Sequence, residues 1–400
     1  MRSSAVAPGV VFVLSDGIKG HIAQVRGLAR SLSERCGVPV EEAAVPRLSG
    51  LRRFELLKVR SRFLPRLSRR KVEAWLKDAG GVKLLQQFAG AVERAGCTAE
   101  AALILSCGSG AAPFALALAR LCGAKSCTVM TPSIGLSHFD FAIVPGHDAP
   151  PARRNVFVTL GALNDVDRNR IEEEGKALSE AFPPESEKRW ALLIGGDDAN
   201  YRVSPAWARE MLSFLLELAA KRGADLYITT SRRTLRETEA AIEELCAASR
   251  WVRMLCLASK GERNPVYGML GLATNVLCTE DSVSMISEAA TAGFRVGVLS
   301  VEHALGVGTS LQRLALVLAR RGFLSEGRLW GLPRFDKMID SFCSRSLAMR
   351  LDDESALAAF LETPQLHGAD FDETGRAARW LLENLNWQVK NGIARASLCG

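Results

Sequence analysis

Four short stretches of this chain combine glycine, hydroxyl and charged residues in spacings that suit phosphate or proton chemistry. The first is Ser15-Asp16-Gly17-Ile18-Lys19-Gly20-His21. Glycines in a turn let the backbone approach a ligand, and a helix that starts there offers unpaired N–H groups to an anion. His21, a titratable ring at such a helix start, suits a general base or a phosphate-facing donor. A tight turn that merely needs glycine, followed by a surface histidine, accounts for the same residues. The second stretch, Gly195-Gly196-Asp197-Asp198, carries a glycine pair that permits close approach of a diphosphate. In the third, Thr229-Thr230-Ser231-Arg232-Arg233-Thr234, two arginines beside hydroxyls form a phosphate-recognition composition, because guanidinium offers forked donors. A helix N-cap at Ser231 or Thr234 is the competing reading.

The fourth stretch is Thr279-Glu280-Asp281-Ser282-Val283-Ser284-Met285-Ile286-Ser287-Glu288-Ala289. Small hydroxyls and free amides at a helix start can hold a phosphate, and Glu288 one turn further on could accept two hydrogen bonds from a ribose diol. A capping box built on Asp281 or Ser282 is the alternative. Neither GxGxxG nor GxxxxGK[ST] is present, so a dinucleotide fold or a P-loop nucleotidase is not supported. Asp197-Asp198 and the pair Asp165 and Asp167 read as solvated loops rather than a ligand cage. The expectation is therefore no metal and no other cofactor.

These stretches need elements to hold them. A chain of 400 residues is long enough for two domains. Apolar runs at 10–14, 38–44, 102–106, 126–130 and 141–144 alternate with helical stretches at 22–33 and 111–121. Continuous apolar strands separated by helices predict parallel strands buried on both faces, in a doubly wound α/β sheet. A polar stretch over 166–188, ending in Pro183-Pro184, reads as a helix plus an interdomain linker. The alternation then restarts: strands at 190–194, 225–230, 252–257, 276–278 and 296–301, helices near 206–221 and 235–248. The organisation is thus a first Rossmann-like domain over 1–165, a linker over 166–188 and a second such domain over 189–371. Residues 372–400 read as a closing helix that packs back on the first domain. Such sheets bind ligands at the carboxyl ends of their strands, which places all four stretches where ligands are met.

The ten cysteines show neither CxxC pairs nor zinc spacing and read as reduced core residues of a cytoplasmic protein. No run of uncharged apolar residues is long enough to span a bilayer. The net charge of +7 is concentrated: residues 47–71 hold ten Lys/Arg against one Glu, Glu55. Leu51, Phe54, Leu56, Leu57, Val59, Phe63, Leu64 and Leu67 lie among them, which suits a helix or hairpin on an anionic membrane face. A solvated basic face is the plainer reading; nucleic acid is not expected, because no binding motif accompanies the patch.

Taken in order, these blocks resemble the mitochondrial fission "elongated mitochondria" family, a group named for a plant protein whose bacterial members are mostly described as glycosyltransferases. The resemblance runs from about Val11 to Val301. It rests on Ser15-Asp16-Gly17, Gly20-His21 and Gln24, then Phe139-Asp140, Pro145, His147-Asp148, Asn155-Val156 and Thr159-Leu160-Gly161. Leu193-Ile194-Gly195-Gly196, Thr230-Ser231-Arg232-Arg233-Thr234, Asn264-Pro265 and the 281–289 block complete it. The chain departs from the family at Ala23, where Asn is usual, and at Cys107-Gly108-Ser109-Gly110, where an arginine pair is common. The second half is also similar to the peptidoglycan lipid-intermediate glycosyltransferases.

Together the resemblances imply a GT-B fold, two Rossmann-like doubly wound parallel-sheet domains facing a cleft. The acceptor would be bound by the first domain and a nucleotide-sugar donor by the second. They imply His21 as general base with Asp16 beside it, and Gly17, Lys19, Gly20, Gln24 and His147 on the acceptor side. Gly195, Gly196, Ser231, Arg232, Arg233, Ser282 and Ser284 would meet the donor diphosphate and Glu288 its ribose. The expected activity is metal-independent sugar transfer to an envelope acceptor, lipid-linked or of lipopolysaccharide type, at the inner face of the cell membrane, which the enzyme meets through 47–71. A 2-epimerase-like enzyme on the same fold, or a non-catalytic membrane adaptor, are the alternatives.

Overall fold

The computed structural model describes residues 9–198, 200–261, 264–303, 335–365 and 371–387. The stretch 304–334 of the expected second domain and the end of the expected closing helix, with Cys399, lie outside the described residues. The chain divides into two compact units, one formed by residues up to 165 together with those from 372 onward, the other by 166–371.

In the first unit the five apolar runs become five of six parallel strands: β1 (Val11–Ser15), β2 (Val40–Ala44), β3 (Leu103–Cys107), β4 (Lys125–Val129), β5 (Phe141–Pro145) and, in addition, β6 (Val156–Thr159). They lie in the order β2-β1-β3-β4-β5-β6. The central strands β1 and β3 are buried along their whole length, as a sheet covered on both faces requires. Successive β1 side chains point to opposite sides. Val11 and Val13 pack with Val25, Leu28 and Leu381, whereas Phe12 and Leu14 pack with Phe88 and Phe114. Helices Lys19–Cys36 and Glu373–Leu385 thus cover one face, and Val82–Arg94 and Gly108–Cys122 the other. Phe12 and Phe88 meet edge to face with ring centroids 5.4 Å apart. The strand order reverses between β1 and β3, the point where such sheets open a crevice at their carboxyl edge.

The second unit repeats the plan with β7 (Arg189–Ile194), β8 (Tyr201–Arg202), β9 (Asp225–Thr230), β10 (Val252–Cys256), β11 (Asn275–Thr279), β12 (Val296–Leu299), β13 (Glu302–His303) and β14 (Ala348–Leu351). Six strands form a parallel sheet in the order β10-β9-β7-β11-β12-β14, and β8 pairs antiparallel with β13. Here the order reverses between β7 and β11. Both units are therefore the doubly wound parallel α/β sheets that the alternation predicts.

Four strands, β6, β8, β13 and β14, go beyond the sequence reading. β6 and β14 are four-residue edge strands, β14 being interrupted by Arg350, and β8 and β13 have two residues each. The 166–188 stretch is mostly one helix, Arg168–Ala181. The Asp167 side chain caps it, accepting from the Asn169 and Arg170 amides. It packs on helix Val266–Leu272 within the second unit, where a Cβ on Gly175 would come 2.9 Å from the Gly271 Cα. The basic segment is helical in three pieces, Gly50–Phe54, a π-turn over Glu55–Val59 and a 3-10 stretch over Arg60–Arg66. Helix Arg69–Asp78 follows.

Candidate functional site

The carboxyl end of β1 delivers Ser15 and Asp16 to the crevice beside β3, and helix Lys19–Cys36 begins three residues later. Gly17 has φ +82°, the left-handed region that favours glycine. Asp16 Oδ1 accepts the Ile18 amide at 3.0 Å, and Asp16 Oδ2 lies 2.8 Å from His21 Nδ1. The carboxylate side chain is 7% exposed and the imidazole 22%, so the pair is sheltered but reachable. Burial raises the Asp16 pKa, but the hydrogen bond from His21 and the Ile18 amide outweigh it and hold the carboxyl below its ordinary value. An ionised Asp16 takes the proton on Nδ1 as its donor. The neutral ring then presents Nε2 as a lone pair, the tautomer a general base needs.

A second glycine turn encloses this pair. Gly108, the first residue of the helix after β3, has φ +68°, and a Cβ there would lie 2.6 Å from His21 Cε1. A Cβ on Gly110 would stand 3.0 Å from Asp16 Oδ2. The Cys107-Gly108-Ser109-Gly110 departure is thus part of the site. Its signal was legible in the sequence, a glycine turn after a strand beside the switch point, but its partner lies some ninety positions away.

Of the other acceptor-side residues, Lys19 and Gly20 are exposed at the helix start, and space around Gly20 is open to 4 Å. Gln24, one turn after His21, is buried. Its Nε2 donates to Met130 Sδ at 3.5 Å, and its Oε1 has no hydrogen-bond partner among the described residues. Met130 directly follows β4 with φ +64°. Next to it Thr131 donates to Asp148, whose carboxylate lies 3.7 Å from His147 Nε2. His147 is buried in the turn after β5, and burial pushes its pKa below the usual value while Asp148 opposes this. The carboxyl edge of the first sheet therefore gathers Asp16, His21, Gln24, Thr131, His147 and Asp148.

In the second unit the crevice between β7 and β11 is filled by protein. The Gly195 amide donates to Thr279 Oγ1 at 2.7 Å and the Gly196 amide to Asp281 Oδ2 at 2.9 Å. A Cβ on Gly195 would lie 2.1 Å from the Asp281 carboxylate, and one on Gly196 would lie 2.2 Å from the Arg233 backbone. The glycine pair makes room for Asp281 and for the 231–234 loop, so its amides are not offered to a diphosphate. Arg233 is likewise engaged: it donates to Asp281 Oδ2 at 2.7 Å and to the Gly196 carbonyl at 3.0 Å. Ser231 Oγ accepts the Arg233 amide. Burial raises the Asp281 pKa, and Thr279, the Gly196 amide and Arg233 offset this only in part. Thr279 and Asp281 anchor the loops, a role sequence reasoning missed because their partners are 84 and 85 residues away.

The start of helix Val283–Thr291 is open only in part: Ser282 and Val283 are buried and Ser284 is exposed. Ser282 is its N-cap residue without a side-chain cap, and the first helical bond runs from the Ile286 amide to the Ser282 carbonyl. The Asp281 carboxylate is spent on Gly196 and Arg233, so the capping-box alternative does not hold. Ser284 is exposed on the first turn and Glu288 half-buried on the next. Arg232 is exposed on the neighbouring loop. Amides without a side-chain cap, a hydroxyl and a cation form an anion-accepting edge. Among the described residues no three His, Cys, Asp or Glu side chains converge as a metal site, and no helix is long and apolar enough to cross a membrane.

A family model described as "Mitochondrial fission ELM1" matches residues 19–385. The "Mitochondrial fission protein ELM1" of Arabidopsis thaliana is 24% identical over 259 residues, which cover 58% of this chain and 60% of that protein. The chain thus spans about three-fifths of the length of this curated relative. Among solved structures, a UDP-GlcNAc 2-epimerase from Methanocaldococcus jannaschii is similar at 10% identity and a TM-score of 0.49, covering 94% of this chain and 99% of that one. The "glycotransferase of kitacinnamycin" is similar at 14% identity and a TM-score of 0.48, covering 95% of this chain and all of the other. At these scores the two likenesses add nothing to the topology described above.

Proposed function

The chain belongs to the mitochondrial fission ELM1 family, and we propose that it is a metal-independent enzyme of GT-B type. It moves a sugar from a nucleotide-sugar donor to a hydroxyl of an envelope acceptor, lipid-linked or of lipopolysaccharide type, at the inner face of the cell membrane. The observation that carries this reading is the Asp16–His21 pair at 2.8 Å in the switch-point crevice of the first sheet. His21 Nε2 takes the proton of the acceptor hydroxyl as its oxygen bonds to the anomeric carbon. The bond from that carbon to the donor diphosphate breaks, and the diphosphate leaves with the electron pair. Ionised Asp16 stabilises the imidazolium that forms, a contribution of general base catalysis worth about 10²–10⁴ in rate.

The leaving diphosphate rests on the uncapped start of helix Val283–Thr291, with Ser282 and Ser284 nearby and Arg232 as the exposed cation. Glu288 receives the ribose hydroxyls. Gly195, Gly196, Ser231 and Arg233 support this edge from behind. Gln24 Oε1, buried one turn from His21, takes a hydrogen bond from the acceptor.

Ligand-induced thermal stabilisation against a panel of nucleoside diphosphates and nucleotide sugars tests the donor half. Stabilisation by one nucleotide series, lost in Glu288→Ala, supports the reading. Conversion of the donor to an isomer without acceptor would replace it with an epimerase, and no stabilisation by any nucleotide would favour the adaptor.

A further inference from the structure

We infer that the helical segment Gly50–Arg66 is a membrane-docking surface for anionic phospholipid, with Leu51, Phe54 and Phe63 entering the headgroup region. The segment is apolar on two sides. Leu56, Leu57 and Leu64 turn inward and are buried in the core of the first unit with Trp75 and Phe114. Leu51, Phe54, Val59 and Phe63 follow one another at spacings of three to five residues, close to one helical turn, and face out. Leu51 is 88% exposed, Phe54 61% and Phe63 57%. A surface helix normally reserves that outer side for polar residues, and a row of large apolar side chains there marks an interaction site.

Charge identifies the occupant. Nine cations of the basic segment are exposed: Arg47, Arg52, Arg53, Lys58, Arg62, Arg66, Arg69, Arg70 and Lys71. Arg52 and Arg53 sit between Leu51 and Phe54, Lys58 between Phe54 and Val59, and Arg62 between Val59 and Phe63. Apolar side chains interleaved with cations suit a surface that is apolar beneath an anionic skin. A second copy of the same patch does not fit, because pairing the two would set these cations against one another. Nucleic acid would meet the cations but has no place for Leu51 or Val59.

The surface also reaches the candidate site. A Cβ on Gly17 would lie 3.8 Å from Arg47 Nη2, so the first cation of the basic stretch 47–71, three residues before the helical segment, stands at the Asp16–His21 turn. Docking would bring that turn to the lipid surface, where an acceptor with a phosphate headgroup is presented. This last step rests on the sugar-transfer reading; the docking itself does not.

Co-sedimentation of the full chain with phosphatidylcholine vesicles, with and without phosphatidylglycerol, tests the inference. Binding should require phosphatidylglycerol and fall as salt rises. The variant Leu51→Ser/Phe54→Ser/Phe63→Ser should bind at least about tenfold more weakly, since each lost apolar contact is worth on the order of tenfold. Arg53→Glu/Arg62→Glu should lose at least about twentyfold, at about fivefold per cation removed. All these side chains are exposed, so unfolding midpoints should match the parent chain, and nucleotide-induced stabilisation should be unchanged, which keeps this test separate from the donor reading. Failure of the parent chain to bind phosphatidylglycerol vesicles would overturn the inference. So would undiminished binding by the apolar triple variant, or binding to single-stranded RNA in preference to vesicles.

Discussion

Replacing Asp16 by Asn keeps the shape of the dyad and removes its logic. The amide oxygen can still accept the Ile18 N–H, now at 3.0 Å, so the turn should hold. The amide nitrogen would then face His21 Nδ1 across the 2.8 Å contact. Two donors cannot share it, so Nδ1 becomes the acceptor and the ring proton moves to Nε2. The ring then has no lone pair toward the acceptor hydroxyl, and the imidazolium of the transition state loses its carboxylate. Losing a general base of this kind costs about 10²–10⁴ in rate, or about 3–5 kcal/mol in the barrier. The assay is release of nucleoside diphosphate from the donor in the presence of an envelope extract. Activity should fall at least about a hundredfold, while donor-induced stabilisation, read in the other unit, should not change. A ¹⁵N spectrum of the ring should show the proton on Nε2. A variant that retains activity within a few-fold, with the tautomer switched, would refute the role given to His21.

Gly108→Ala should disturb the same pair through packing. The left-handed φ costs about 1–2 kcal/mol, and the new Cβ, 2.6 Å from the imidazole, forces the ring away from Asp16; thermal unfolding and activity should both fall. Arg232→Ala should leave stability within about 0.5 kcal/mol and weaken donor binding about tenfold, the worth of one charged contact. Arg233→Ala should do the reverse, costing about 2–3 kcal/mol of stability, a value discounted from a fully buried pair because the guanidinium is 40% exposed. For Asp281, burial lifts the folded carboxyl above its ordinary value. Its linkage contribution is therefore present below the usual carboxylate range and is lost as pH rises through the raised folded value. Chemical denaturation should show the gap between Asp281→Asn and the parent narrowing as pH rises across that interval; a gap that widens would contradict the assignment.

The strands were legible because central parallel strands are buried on both faces and read as apolar runs, as β1, β3 and β7 do. The edge strands β2 and β10 were legible too, but β6 and β14 were not, β14 because Arg350 interrupts it, and the two-residue β8 and β13 are too short to show a pattern. The glycine turns at 15–21 and 107–110 could be read as turns, but that Gly108 and Gly110 close on His21 and Asp16 follows only from β1 and β3 being neighbours. The glycine pair at 195–196 illustrates the converse. The sequence suggests a cradle for a ligand, yet the space is taken by Asp281 and the 231–234 loop, contacts made across more than thirty residues of chain. In the basic segment, composition alone could not divide the apolar residues; Leu56, Leu57 and Leu64 serve the core, and only Leu51, Phe54, Val59 and Phe63 are left outside.

Sugar transfer is measured most directly by following an isotopically labelled sugar from a panel of nucleotide sugars into solvent-extracted envelope lipid and lipopolysaccharide. Label should appear in one acceptor fraction, with one nucleoside diphosphate released per sugar transferred, and both should be lost in His21→Ala. Label that never leaves the donor, with no diphosphate released by the folded protein, would contradict it.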